Sequence, residues 1–248
     1  MPFDFKQNPE DKNLALIAGI MLLMWWVDAI VKLFYGKIIG LFWFCSISML
    51  IAAFFVVYKK SDMLLAFLSA SIILQGIWLI DALALAFFQM DIFGTSYYMF
   101  LPHFHIPETF TTMKHFFLIP LELFAFIHMK NLPSLIKTIK YISLFTIIFL
   151  ISSLLLGPIK NINYVYKPVF GLGFFSSNGF IIYFMAYFAF LIIASSLIAA
   201  MICLVFKKYS GLFKIKNLKS YFWTGLILCF ILALKVSLYV LRFQIRLF

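Results

Sequence analysis

Charge is scarce in this chain. Only 12% of its 248 residues are Asp, Glu, Lys or Arg, about half of what a soluble domain carries. Cysteine is scarcer still, and Cys45, Cys203 and Cys229 all lie inside apolar runs, so no disulfide framework is implied. Internal repeats, low-complexity stretches and any segment reading as a soluble domain are missing. No cleavable signal peptide is read either, because "MPFDFKQNPEDKN" is polar and mixed in charge and the run after it has full span length.

What fills the sequence instead is apolar side chain. Hydrophobic residues make up 65%, Phe alone occurs 33 times, and mean hydropathy is +1.07. Apolar runs recur that are long enough for a hydrocarbon core of ~30 Å. The expectation is an all-α, polytopic transmembrane bundle forming a single domain over 1–248. About seven spans are expected, near 14–34, 38–57, 63–88, 110–129, 139–156, 179–206 and 220–241.

Lys and Arg exceed Asp and Glu by 20 to 9. The basic residues are scattered between the apolar runs, which is how loop charge sets topology, so no nucleic-acid partner is implied. Twelve of them fall on the side holding the N-terminus, "YKKSD", "KNLPSLIKTIK" and "KKYSGLFKIKNLK". The other side holds Lys32, Lys37, Lys160, Lys167, Arg242 and Arg246, with Lys114 near it. Positive-inside then places the N-terminus in the cytoplasm, and a prokaryotic inner membrane is the simplest address. The basic stretch Lys207–Lys219 reads as a loop on anionic headgroups, so membrane lipids are the expected partner.

Several polar residues interrupt the spans, and an ionised one inside lipid costs at least ~2.5–3.5 kcal/mol. Asp28, Cys45, Asp81, His115 and Lys235 fall at similar depth on five helices, in the leaflet from which the two long connections emerge. This reads as a polar site open to the outer face. Asp81, with Gln75 and Trp78 nearby on its helix, is either a structural partner of Lys235 or Lys32 or part of a functional site. Cys45 is inert by default, but becomes a nucleophile if a base such as His115 activates it. "HFHIPETFTTMKH" offers His103, His105 and Glu108 as metal ligands, or as interfacial residues contacting headgroups. Lys235 in the last helix invites a retinal Schiff base, but the third helix lacks the pattern expected around retinal. Glu122 either carries a proton or ion, or bonds a group freed by Pro120.

The order "GLFWFC", "LLAFLSASIILQGIWLIDAL", "GTSYYMF", a His ahead of "LIPLELF", then "NINYV" resembles a family of bacterial multi-span membrane proteins without an assigned activity. The resemblance runs over roughly 36–166. It falls on Trp43, Cys45, Trp78, Asp81, Thr95, Tyr98, Met99, Phe100, His115, Pro120, Asn161 and Asn163. Leu101 departs from the acidic residue that usually follows Met-Phe, and the "HFHIPE" stretch and Lys235 have no counterpart. In architecture the chain is loosely similar to androgen-induced membrane hydrolases of fatty-acid esters, which implies an intramembrane nucleophile and a His across helices.

The leading expectation is therefore a lipid-handling acyltransferase or ester hydrolase. Cys45 would be nucleophile, His115 general base and Asp81 its orienting group. Trp78, Thr95, Tyr98, Asn161 and Asn163 would line or cover the substrate, and no cofactor is expected, with a metal at the His stretch as an option. The alternatives are a transporter or ion-coupled binding protein using Asp81, Glu122 and Lys235, and an assembly partner in an envelope complex.

Overall fold

The computed structural model describes residues 9–90, 92–93, 95–96, 112–129, 131–156, 180–209 and 218–246. Among them are seven α-helices and no strand. They are α1 (Pro9–Phe34), α2 (Phe44–Val57), α3 (Ser61–Phe88), α4 (His115–His128), α5 (Leu135–Leu155), α6 (Phe180–Tyr209) and α7 (Leu218–Arg246). A short 3₁₀ segment, Ile38–Phe42, precedes α2.

Five helices, α1, α3, α5, α6 and α7, are long and apolar enough to cross a membrane. The 14-residue helices α2 and α4 reach only ~21 Å. Large apolar side chains face outward in stripes at helical spacing: Leu23, Trp26, Ile30 and Phe34 on α1, and Leu197, Met201 and Leu204 on α6. Water does not tolerate a belt of this kind, and hydrocarbon does. The chain is a multi-pass helical membrane protein.

α3 is the axis of the bundle. It packs against α2, α4, α5, α6 and α7, and 56% of its apolar window is buried, against 17–33% in the other four long helices. Its small residues allow that crowding: Ala66, Ser69 and Ser71 are fully or almost fully buried. α1 lies against α2 and α4. A second apolar cluster, Trp78, Ala82, Met113, Phe116, Ala233, Val236 and Val240, seats α7 against α3 and α4.

Two local features depart from the sequence expectation. The run 38–57 is not one helix: at Trp43 the backbone is extended (φ −61, ψ 140) and α2 starts after it. Cys45 therefore sits in the first turn of α2 rather than seven residues into a span. In the fourth run a turn at Met113 and Lys114 precedes a helix that begins at His115, and the expected start near 110 lies outside the described residues. As a result two helix N-termini, with their positive dipole ends, start at the end of the bundle where α1 and α3 finish.

Candidate functional site

At that end, Asp28 of α1 gathers two cations. Its Oδ2 accepts from Lys32 Nζ at 2.9 Å and from Lys114 Nζ at 2.5 Å. Lys32 is the i+4 neighbour on the same helix, while Lys114 arrives from the turn before α4, 86 residues along the chain. Asp28, Lys114 and Ser46 are all buried. Two ammonium groups against one carboxylate leave the cluster with one excess positive charge in low dielectric, where an unbalanced charge is costly.

Counting donors shows how tightly it is built. Lys32 spends all three protons, on Asp28, on the Gly40 carbonyl at 2.8 Å and on Ser46 Oγ at 2.6 Å. Lys114 spends two, on Asp28 and on Ser46 Oγ at 2.8 Å. Ser46 in turn donates to the Gly40 carbonyl at 3.3 Å. Among the described residues, one N–H of Lys114 and the Asp28 Oδ1 atom are left over. Cys45 adjoins this set, its Sγ 3.9 Å from Ser46 Oγ, and both ammonium groups lie within electrostatic reach of the sulfur.

The break before α2 has a reason here. The 3₁₀ segment turns the Gly40 carbonyl onto Lys32, and the missing side chain of Gly40 leaves room for the lysine stem. A Cβ at Gly40 would meet Lys32 Cε at 3.1 Å and Cδ at 3.3 Å. Lys32 cannot swing away without giving up three bonds, so Gly40→Ala is expected to destabilise the protein by about 1–2 kcal/mol. Unfolding in mixed micelles measures it, and an unchanged midpoint would show that the lysine stem yields freely.

His115, the first residue of α4, is buried and held by α3. Its Nδ1 pairs with Gln75 Oε1, and its ring stacks on Trp78 with centroids 4.1 Å apart and planes 17° from parallel. Lys114, Lys32 and Asp28 are within electrostatic reach of it. Cys45 is not among its partners. Among the described residues the buried Trp78 indole N–H has no hydrogen-bond partner.

Asp81, the carboxylate set in an apolar helix, is engaged with backbone. α3 closes at Gln89, whose left-handed conformation (φ 57) folds the chain back on itself. The returning residues place their donors on the carboxylate. Oδ1 accepts from Ile92 N at 2.9 Å and Phe93 N at 2.8 Å. Oδ2 accepts from Ser96 N at 2.8 Å, and from Thr95 Oγ1 and Ser96 Oγ at 3.0 Å each.

The structure thus brings Cys45, His115 and Trp78 to one end of the bundle but does not link Cys45, His115 and Asp81 in series. Asp81 serves the returning chain instead of orienting His115, because five donors saturate its oxygens. Thr95 donates to Asp81 rather than standing over the site. Asp81 pairs with neither Lys32, which belongs to Asp28, nor Lys235, whose Nζ lies 3.9 Å from the centre of the Phe87 ring. Tyr98, Met99, Phe100, His103, His105, Glu108, Asn161 and Asn163 lie outside the described residues. No group of three or more His, Cys, Asp or Glu gathers as a metal set among the described residues.

Sequence reasoning put Asp28 at the depth of the polar site and offered Lys32 only as a partner for Asp81, and it gave Lys114 and Ser46 no place in the site. The Asp28–Lys32 spacing of four inside an apolar run is the signal for the first pair. No local pattern announces the other two. No protein-family model, curated protein or solved structure matches the chain.

Proposed function

We propose that the protein is a membrane-embedded enzyme of acyl transfer or ester hydrolysis on lipids, with Cys45 as nucleophile activated by Lys32 and Lys114. One observation carries this reading: a buried cluster with one excess positive charge stands against the only cysteine at that end of the described helices. A thiolate there would balance it, and cations beside a cysteine are what make a thiol reactive. The sulfur adds to the ester carbonyl and the C–O bond breaks. The departing alkoxide takes a proton from Lys114. Water or a second alcohol then returns that proton to the lysine as it cleaves the thioester, restoring the starting state. The third N–H of Lys114 would serve as an oxyanion donor, and His115 stacked on Trp78 as a wall. The Lys and Arg count supports an orientation with this end outside the cytoplasm, and the residues carrying the resemblance read over 36–166 include Cys45, Trp78 and His115.

The test is alkylation of Cys45 by a membrane-permeant thiol reagent at neutral pH, in nanodiscs, with Cys203 and Cys229 replaced by Ala. Lys114→Met is expected to slow labelling on the order of tenfold or more, because one unit charge a few ångströms away at an effective dielectric of ~20 exceeds 1.4 kcal/mol. His115→Ala should change it little. Slowing by His115→Ala alone would restore a Cys–His pair as the working unit. Equal inertness in all three proteins would end the nucleophile reading.

The ion-path alternative finds less support. Asp81 is taken by backbone amides, Lys235 lies over Phe87, and Glu122 has Ser71 as its polar neighbour, so the three residues have separate surroundings.

A further inference from the structure

Glu122 sits seven residues beyond His115 on α4, ~10 Å deeper in the bundle than the lysine cluster. It is fully buried, and among the described residues neither carboxyl oxygen has a hydrogen-bond partner. Facing it from α3 is Ser71, also fully buried, its hydroxyl close enough to act on the carboxyl but outside hydrogen-bonding geometry and itself unpartnered. Native interiors rarely leave three such atoms together, and where they do a water, ion or chemical role accounts for it.

Most of the described charged and titratable groups on the helices packed on α4 are engaged elsewhere. On α1, Asp11 pairs with Lys59, and Asp28 with Lys32 and Lys114. Cys45 of α2 belongs to that cluster. On α3, Asp62 receives Ser134 N and Asp81 receives the returning chain. On α4 itself, His115 has Gln75 and His128 has the Phe124 carbonyl. Lys235 of α7 lies over Phe87. Ser71 is the polar side chain that does.

We infer that Glu122 and Ser71 form an intramembrane proton-exchange site, distinct from the Cys45 cluster above it. Three oxygens are too few for a divalent cation, which takes about six, but one proton converts the set into a donor facing an acceptor. Pro120, inside α4 between the cluster and Glu122, removes the helical donor of the Phe116 carbonyl. An acceptor released in this way is one that water can bind.

Infrared difference spectroscopy on the whole protein in nanodiscs tests this. The expected result is a carbonyl band of a protonated carboxylic acid that shifts in D2O, fades as the pH is raised and is absent in Glu122→Gln. Ser71→Ala should move the band without removing it, which keeps the test open if Glu122→Gln does not fold. An acid band that neither exchanges with D2O nor titrates would make Glu122 a sealed structural group and overturn the inference. Absence of any band shifted by Ser71→Ala would do the same, as would a band abolished by sodium at constant pH, which would mark a metal-cation site.

Discussion

Replacing Asp28 by alanine is expected to destabilise the protein by about 3–5 kcal/mol, the range for removing one partner of a buried ion pair. The reason is the charge count. With the carboxylate gone, Lys32 and Lys114 keep only Ser46 Oγ in common, at 2.6 and 2.8 Å, and two ammonium groups are left to repel each other. Lys114 is 4% exposed, so water can do little to screen it. Removing one charge of each sign should recover much of the loss: Asp28→Ala combined with Lys114→Met leaves Lys32 bonded to Gly40 and Ser46. Reversible unfolding of the two variants in mixed micelles measures this, and the gap between them is the informative quantity. If the single and double variants were equally destabilised, the cost would come from lost packing, and the excess charge would not govern the site.

The helices were legible in the sequence because lipid imposes a length on them. The third run, read as 63–88, is α3 at Ser61–Phe88, and the sixth, read as 179–206, is α6 at Phe180–Tyr209. Charged and turn residues bound both runs. The second was misread as one helix because "GLFWF" contains no proline and stays apolar through its break. What interrupts it is a demand from another helix, the need of Lys32 for the Gly40 carbonyl. Hydropathy carries no trace of such a demand.

The site was legible in the same partial way. Depth along each span correctly brought Asp28, Cys45 and His115 to one end, since helices crossing one slab share a ruler. Depth says nothing of azimuth, so it could not tell that His115 turns to Gln75 and Trp78 on α3 rather than to Cys45 on α2. Asp81 was hidden for another reason. A search for its partner among side chains looks for a lysine, while most of its donors are main-chain amides that every residue but proline carries.

Asp81→Ala is the second substitution expected to act strongly, through the backbone. It would strand the amides of Ile92, Phe93 and Ser96 together with the hydroxyls of Thr95 and Ser96. A hydrogen bond to a charged group is worth about 1.5–3 kcal/mol. The five share one carboxylate and are not additive, so about 3 kcal/mol in total is expected. Hydrogen exchange gives the sharper signature, because protection should fall at Ile92, Phe93 and Ser96 while amides in the middle of α3 keep theirs. Asp81→Asn should be intermediate: its carbonyl oxygen can keep Ile92 and Phe93, but its NH2 then points at the Ser96 N–H, donor against donor. The same variants separate anchoring from catalysis. If Asp81 only anchors the returning chain, Asp81→Asn should label at Cys45 as fast as the parent protein while losing protection at Ser96. A fall in labelling with protection intact would mean that the carboxylate acts on the thiol end of the bundle after all, through a route other than His115.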